Sequence, residues 1–242
     1  MAINYNPRII TDGLVLCLDA ANRKSYPTTG TTWTDLSGLG NNGTLTNGVG
    51  YNGSNGGSIV FDGVNDYAEL GNVLNLGTND RTINAWISLN STFSSGGHIV
   101  SKAKAADQNY RFGFYVDTSK QLGTIIAGNS GAGTEVITLG NDILLTDKFY
   151  MVTTVIKRNS NISMYVNSNI QTLTGSSTIS QWNSLDFQSN NPLRVGTYTA
   201  SDNISPISSL NCKISQVSIY NRALSAAEIQ RNFNATKSRY GL

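Results

Sequence analysis

Short apolar segments separated by turn residues recur along almost the whole chain. They are rich in Val, Ile, Thr, Tyr and Phe, the residue types that favour β-strands. In one of them Tyr110, Phe112 and Phe114 fall on the same side of a strand, so that side is expected to be buried. Asp-Gly and Asn-Gly pairs between the segments tolerate the positive φ of tight turns. The predicted strands span residues 14–19, 58–61, 67–70, 82–88, 98–102, 110–116, 121–126, 135–139, 149–157, 162–167, 193–198 and 212–220.

A helical pattern is present only near the C-terminus. Residues 225–228 read Ser-Ala-Ala-Glu, a capping box in which the Ser225 and Glu228 side chains bond each other's backbone amides. Leu224 and Ile229 flank this box and are placed to staple the start of the helix. The apolar stripe and the stop signal that follow are Ile229, Phe233, Thr236, Tyr240 and Gly241.

Within the last predicted strand the apolar residues do not keep to every second position. Ile214 and Val217 are three residues apart, whereas Val217 and Ile219 are two apart. A β-bulge near Ser215 and Gln216 would return these side chains to one inward face. Because no long linker or internal repeat interrupts the pattern, the chain predicts one all-β sandwich closed by a single C-terminal helix.

Composition narrows the possible partners. Of the 242 residues only 13% are charged, against about 25% in an ordinary soluble domain. The net charge of +2 gives no basic stripe, so nucleic acid is not an expected partner. No apolar run approaches the ~20 residues of a membrane helix, so no membrane span is expected. Residues 13–18 are too short for a signal-peptide core and no Lys or Arg lies in residues 1–7, so no export signal is expected.

Three motifs carry more information than composition does. Residues 33–38 read W-T-D-L-S-G, residues 61–67 read F-D-G-V-N-D-Y, and residues 219–229 read I-Y-N-R-A-L-S-A-A-E-I. Together they resemble the laminin-G-like (LamG-type) jelly-roll domains of the concanavalin A-like lectin and glucanase superfamily. The resemblance implies a jelly-roll sandwich of two antiparallel sheets with one C-terminal helix over residues 13–242, preceded by an N-terminal arm of residues 1–12.

The start of the chain extends this resemblance. Residues 10–16 (I-T-D-G-L-V-L), 19–22 and 25–27 are similar to the opening of such domains in structural proteins of tailed phages. This likeness implies a non-enzymatic virion structural or decoration protein, made in the host cytoplasm and displayed on the capsid or tail. The implied partners are other virion proteins, host-surface glycans and further copies of the chain in a homo-oligomer. The alternative is a calcium-dependent carbohydrate-binding lectin or adhesin module outside a virion.

The residue types needed for hydrolysis are sparse. Glycoside hydrolysis needs two carboxylates at a defined separation, and no E-x-D-x-x-E run is present. Asp66 and Glu69 are three residues apart, so on one strand their side chains would point to opposite faces. His98 is the single histidine and is expected to be a surface or strand-end residue. The sequence therefore predicts that the chain is not an enzyme and has no zinc site.

Calcium is the one metal that the motifs allow. Asp62 and Asp66 flank a tight loop and could offer oxygen ligands, which calcium accepts in irregular geometry. The alternative is that Asp62 with Gly63 makes the turn while Asp66 accepts hydrogen bonds from loop amides. Asp35 raises the same question, since it could bind a cation or order its own loop.

Sugar recognition commonly combines an exposed aromatic face with amide and carboxylate groups. The candidate carbohydrate-binding residues, in or near predicted loops, are Trp33, Trp182, Tyr198 and Asp202. Each aromatic residue among them could instead anchor the core or a loop. Trp86 lies in the middle of a predicted strand and is expected to be a core residue.

Two cysteines are too few for a disulfide framework, and two buried thiols are the simpler interpretation. In the family that the chain resembles, an aromatic residue is common at the position of Cys17, and a glycine is usual at the position of Cys212. Because the first and last strands of that family are neighbours, the resemblance implies a Cys17–Cys212 disulfide as an alternative.

Overall fold

The predicted strands form two stacked antiparallel sheets in a computed structural model. It describes residues 8–75, 77–102, 111–127, 135–158, 160–175, 178–179, 189–200 and 205–242. The first sheet has the strand order β14-β13-β12-β7-β19-β5-β4, with β1 also paired to β19. Its strands are β1 (Leu14–Asp19), β4 (Gly50–Asn52), β5 (Ser58–Asp62), β7 (Arg81–Leu89), β12 (Phe149–Ile156), β13 (Ile162–Val166), β14 (Asn169–Ile170) and β19 (Asn211–Tyr220).

The second sheet has the order β15-β11-β10-β9-β8-β16-β6-β3-β2. Its strands are β2 (Thr32–Trp33), β3 (Gly43–Thr46), β6 (Tyr67–Glu69), β8 (Gly97–Lys102), β9 (Arg111–Val116), β10 (Gln121–Ala127), β11 (Glu135–Ile143), β15 (Leu173–Gly175) and β16 (Leu193–Val195). A separate two-stranded hairpin joins β17 (Tyr198–Thr199) to β18 (Pro206–Ile207). The one α-helix in the described part of the chain is α1 (Ala226–Thr236), followed by a 3₁₀ turn at Lys237–Tyr240. The predicted fold class is confirmed.

The sequence pattern missed the shortest strands. Several of them contain two to four residues and little apolar sequence, because pairing with a neighbouring strand defines them more than hydrophobic alternation does. The predicted strand 193–198 is divided at Gly196, whose φ of 90° breaks the extended backbone. The missed strands are β2, β3, β4, β14, β15 and β18.

The predicted bulge is confirmed, and it marks the point where β19 changes neighbour. Asn211 to Ile214 pair with β5, whereas Gln216 to Tyr220 pair with β1. The register against β7 shifts between Ile214 and Gln216. At the bulge the Ser215 carbonyl accepts a hydrogen bond from the Ala20 amide (2.8 Å), and the Ser215 hydroxyl donates to the Gly57 carbonyl (2.6 Å). Ser215 therefore links the ends of β1 and β5 across the gap between them.

Helix α1 covers the outer side of the first sheet. Its capping box is present, with the Ser225 hydroxyl accepting from the Glu228 amide and the Glu228 carboxylate accepting from the Ser225 amide. Beneath the helix Trp86 is fully buried and its ring lies 4.0 Å from that of Tyr240. The indole N–H of Trp86 donates to the Thr236 hydroxyl (2.8 Å). The expected core position of Trp86 is confirmed, in a second apolar cluster separate from the one between the sheets.

The last residues of the predicted N-terminal arm dock against this second cluster. The Ile10 amide donates to the Asn232 side chain (2.8 Å), and the Ile10 carbonyl accepts from the Tyr220 hydroxyl (3.0 Å). Arg231 donates to the Arg8 carbonyl (3.0 Å). The boundary at residues 12 and 13 stays a prediction, and residues 1–7 lie outside the described part of the chain.

The implied Cys17–Cys212 disulfide is wrong, because both cysteines are free and buried. Cys17 on β1 is opposite Ser218, and Cys212 is opposite Leu89 and Phe61. Six residues of β19 therefore separate the two positions, about 20 Å of extended strand, whereas a disulfide needs Cα atoms within about 7 Å. The simpler interpretation, two buried thiols, is the correct one.

Candidate functional site

The side of the nine-stranded sheet that faces away from the core is called the outer face here. Strand alternation assigns its residues, since Val100, Phe114 and Leu122 belong to the buried core between the sheets. Gly113, Tyr115 and Gly123 alternate with these core residues and therefore lie on the outer face. Ser101 and His98 are the register partners of Gly113 and Tyr115 on β8, and a register shift between His98 and Val100 returns His98 to the outer face.

Two glycines let aromatic rings lie across the outer face. A Cβ atom at Gly113 would be 2.8 Å from Cδ2 of His98, and one at Gly123 would overlap the ring of Tyr115. Because neither glycine has a side chain, the His98 and Tyr115 rings occupy the space directly above the backbone of the neighbouring strand. The two ring centroids are 5.5 Å apart.

A second pair of glycines brings three backbone segments together beside these rings. A Cβ at Gly97 would lie 2.6 Å from the Cα of Leu210, and one at Gly96 would lie 2.8 Å from the carbonyl oxygen of Val116. The start of β8 therefore packs directly against residues 208–210 and the end of β9. The His98 amide completes this junction by donating to the Ser208 carbonyl (3.1 Å).

The β17–β18 hairpin lies on the outer face above β8. The Ser101 hydroxyl donates to the Thr197 carbonyl (2.7 Å), which fixes the chain as it leaves β16. The ring of Tyr198 is 4.7 Å from that of His98, so His98 lies between the rings of Tyr198 and Tyr115.

A surface cleft of about 380 Å³ opens beside the His98 and Tyr115 rings. We call it the His98–Tyr115 cleft. It is lined by Ser95, Gly96, Gly97, His98, Tyr115, Val116, Asp117, Thr118 and Ser208. Ser95, Thr118 and Ser208 are exposed, while His98, Tyr115 and Asp117 are half-buried.

The groups in this cleft suit a small ligand with both an apolar face and hydroxyl groups. Two aromatic rings provide the apolar surface, and three hydroxyl-bearing side chains and one carboxylate provide hydrogen-bonding groups. The Asp117 carboxylate is positioned within its own turn, where one oxygen accepts from the Gln121 amide (2.7 Å). The described lining contains no Lys or Arg.

The sequence did not identify this cleft. His98 was expected at a surface or strand end, which describes its position in the strand but not its place between two tyrosines. The informative signal was the set of glycines, Gly96 and Gly97 before His98 with Gly113 and Gly123 on the next two strands. Only the strand register shows that these glycines lie under or beside aromatic rings.

An ion pair between a buried arginine and a partly exposed glutamate occupies another part of the outer face. Arg194 on β16 donates to Glu69 on β6 through two of its nitrogens, at 2.7 and 3.0 Å. The guanidinium also lies 4.4 Å from the ring centroid of Tyr67. Glu69 is therefore committed to Arg194 and is not paired with Asp66, which precedes β6.

Two of the four predicted carbohydrate-binding residues lie in the described part of the chain, and they are on different parts of the second sheet and its hairpin. Trp33 is fully buried at the β2 edge of the second sheet, because its ring fills the core rather than facing solvent. Tyr198 is buried against His98, close to the His98–Tyr115 cleft. The other two residues, Trp182 and Asp202, lie outside the described part of the chain.

The candidate calcium residues form a hydrogen-bonded turn. The Asp62 carboxylate accepts from the Val64 amide (2.7 Å), and the Asp66 carboxylate accepts from the Asp62 amide (3.1 Å). Gly63 has a φ of 80°, as the turn interpretation requires. The second oxygen of Asp66 is buried without a hydrogen-bond partner, and burial raises the pKa of this carboxyl. No group of three or more His, Cys, Asp or Glu side chains suited to a metal ion occurs among the described residues.

Asp35 orders its own loop, one of the two possibilities open from the sequence. Its two carboxylate oxygens accept hydrogen bonds from the amides of Cys17, Ser37 and Asn41 and from the Ser37 hydroxyl, at 2.7 to 3.1 Å. These bonds fasten residues 35–41 along the free edge of β1.

A family model described as the concanavalin A-like lectin/glucanases superfamily matches residues 62–230. The chain belongs to this superfamily. The matched region begins at the Asp62 turn, includes the His98–Tyr115 cleft and ends within the first half of α1. No curated protein sequence matches the chain.

Several solved structures have the same jelly-roll fold as this chain at low sequence identity. The binding domain of Paraclostridial mosquitocidal protein 1 has a TM-score of 0.68 and 15% identity, covering 93% of this chain and 52% of that one. The receptor binding domain of botulinum neurotoxin C/D mosaic serotype has a TM-score of 0.65 and 15% identity, with 93% and 51% covered. Trypanosoma rangeli sialidase in complex with sialic acid has a TM-score of 0.64 and 15% identity, with 94% and 33% covered. The chain thus spans about half or less of each of these proteins.

The described helices include none that is both long and apolar enough to cross a membrane.

Proposed function

We propose that the chain is a non-enzymatic carbohydrate-binding domain whose ligand occupies the His98–Tyr115 cleft. The observation that carries this proposal is the combination of aromatic rings and hydroxyl groups in a 380 Å³ surface cleft. A sugar ring has an apolar face of C–H groups and an equatorial rim of hydroxyls, so it needs both kinds of surface. Tyr115 supplies the stacking surface, and Ser95, Asp117 and Thr118 are placed to bond hydroxyl groups.

The structural neighbours support this proposal. Two of them are named as binding domains of toxins, one specifically as a receptor binding domain, and a third is a sialidase bound to sialic acid. Their common feature with this chain is the fold, which hosts unrelated functions, so the cleft rather than the likeness carries the argument.

The arrangement of carboxylates supports binding rather than hydrolysis. Asp117 is the one carboxylate in the described lining of the cleft, whereas glycoside hydrolysis uses a pair. Glu69 faces outward on the same sheet but is held by Arg194.

Two finer roles follow from the sequence resemblance and remain proposals. The first is display on a phage virion, which the N-terminal motifs imply. If this role is correct, mass spectrometry of purified virions from a host that produces the chain would detect it in a fixed ratio to the other virion proteins.

The second role is calcium dependence, which is tested by repeating the binding measurements below with a chelator.

We expect Tyr115→Ala to abolish binding on a glycan array, because the variant removes the stacking surface of the cleft. Tyr150→Ala is the matched control, since Tyr150 is also a half-buried tyrosine but lies on β12 of the other sheet. Both variants are compared with the wild-type chain after thermal melts have established that each is folded. Equal binding by wild type and Tyr115→Ala would contradict the proposed site. Absence of wild-type binding to every glycan, with and without calcium, would contradict the proposed function.

A further inference from the structure

We infer that the His98–Tyr115 cleft accommodates only the terminal one or two sugar units of a glycan and does not bind the interior of a polysaccharide chain. The inference rests on the carbohydrate-binding function proposed above and narrows the class of its ligand. Three features of the outer face carry it: a barrier on one side of the cleft, an aliphatic surface on the other, and the size of the cleft.

The barrier is the segment formed by residues 197–200 and 205–209, which include strands β17 and β18. It crosses the outer face above β8, where the Thr197 carbonyl accepts from Ser101. Thr197 and Ser209 are both buried, and their hydroxyl oxygens are 3.1 Å apart, so the two ends of the segment are closed against each other. A polysaccharide that extended from the cleft towards β16 and β6 would have to displace this segment.

The aliphatic surface lies on the opposite side, across β10 and β11. Ile125 is paired with Ile137, and Gly123 is paired with Leu139. Ile137 is 45% exposed, so the strip is open to solvent. The three aliphatic side chains cannot donate or accept a hydrogen bond, and Gly123 has no side chain. A sugar unit placed here would lose hydration of its hydroxyl groups without gaining partners for them, which is unfavourable.

The size of the cleft fits a short ligand. Its volume of about 380 Å³ is near the lower end of the roughly 300–1,000 Å³ that small-ligand sites occupy. On the remaining side the described lining residues are the exposed Ser95 and Thr118, so the rest of a longer glycan would leave the protein there.

The experiment is a series of calorimetric titrations of the full chain with oligosaccharides of one to six units. The probes are the cello-, chito-, manno- and galacto-oligosaccharide series, together with N-acetylneuraminic acid and sialyllactose. We expect that the affinity for each series that binds reaches its full value by the disaccharide and changes less than threefold up to the hexasaccharide. A rise of tenfold or more between two and six units would overturn the inference while leaving carbohydrate binding intact. Absence of binding across the panel would overturn the proposed function and the inference with it.

A pair of variants tests the same point through the protein. Ile137→Ser changes the aliphatic strip and is expected to leave the affinities for disaccharide and hexasaccharide within twofold of wild type. Tyr115→Ala is expected to abolish both. A selective loss of hexasaccharide affinity in Ile137→Ser would show that a longer ligand contacts the strip, and would overturn the inference.

Discussion

At the residue scale, two positively charged side chains, Lys102 and Arg81, are buried at one end of the sandwich. Lys102 is 1% exposed, and its ammonium group donates to the Asn72 side chain and the Asn191 carbonyl, both at 2.8 Å. Arg81 is also buried, and it donates to the Asn75 carbonyl. Neither cation forms an ion pair with a carboxylate among the described residues. Burial, reinforced by the charge of Arg81, lowers the pKa of Lys102 to about 8.

This depressed pKa predicts an unusual dependence of stability on pH. Above pH 8 the folded chain releases the Lys102 proton, while the unfolded chain retains it up to its ordinary pKa of 10.5. Because the unfolded state then binds more protons, the contribution of Lys102 to the free energy of unfolding rises with pH. We expect wild type to gain on the order of 1 kcal/mol relative to Lys102→Met between pH 7.5 and pH 9. Denaturant titrations of both proteins at each pH measure the difference.

Lys157 provides the control for this prediction because its side chain is exposed. The difference between wild type and Lys157→Met is expected to be constant over the same pH range. A constant difference for Lys102→Met as well would show that Lys102 does not titrate with a lowered pKa.

At the scale of elements, the start of α1 is fixed by a hydrogen-bonded network of three residues and by an apolar contact. The Ser225 and Glu228 capping box is extended by Arg222, whose guanidinium donates to both oxygens of the Glu228 carboxylate at 2.6 and 3.0 Å. Arg222 holds the pKa of Glu228 at about 2, well below its usual range. Leu224 before the box and Ile229 after it are both buried and form the hydrophobic staple. The beginning of the helix is therefore fixed both by local bonds and by the second apolar cluster.

We expect Ser225→Ala to lower the free energy of unfolding by about 1 kcal/mol, because the Glu228 amide loses its side-chain acceptor. In a chain of this size the melting temperature should fall by about 2–4 °C. Ser238→Ala is a suitable control, since Ser238 is exposed in the 3₁₀ turn after the helix. Calorimetric melts that showed equal small effects for the two variants would contradict a stabilising role of the cap.

At the scale of the whole molecule, the two thiols are buried on opposite sides of the first sheet, because Leu16 and Leu18 on either side of Cys17 face the cluster between the sheets. Cys212 is fully buried in the cluster between the sheets, and burial raises its pKa far above that of an ordinary thiol. Cys17 lies on β1, and burial raises its pKa to about 11. Thiols in this state are unreactive, because the thiolate is the nucleophile.

Thiol labelling therefore reports on the unfolding of the entire sandwich. We expect no rapid reaction of the native chain with a maleimide at pH 7, and reaction at both cysteines in denaturant without a reductant. Mass spectrometry counts the labels. A denatured chain with no reactive thiol would indicate a disulfide and would contradict the strand register, while rapid labelling of the native chain would contradict the burial.

Particular elements show what was predictable and why. The strand at 14–19, the Ser215 bulge and the Ser225 cap were predicted at the residues where they occur, since each depends on chain neighbours and on periodicity. The β2 and β14 strands were missed because two residues carry no measurable alternation. Trp33 was interpreted as a candidate ligand-stacking residue because a loop position and a core position cannot be distinguished for an aromatic residue without its neighbours.

The sequence by itself determined the fold class, the helix cap and the shortage of carboxylates, because local pairing, alternation and composition fix these properties. Only the tertiary structure decided the place of the candidate site. His98, the pair Tyr115 and Asp117, and Ser208 come from three separate stretches of the chain, and they meet because the strand register places glycines where the rings and backbones must approach. The same register places Cys17 of β1 opposite Ser218, six residues along β19 from Cys212, although β1 and β19 are neighbours. Which residues become neighbours depends on pairing between distant strands, and a pattern read along the chain does not contain that information.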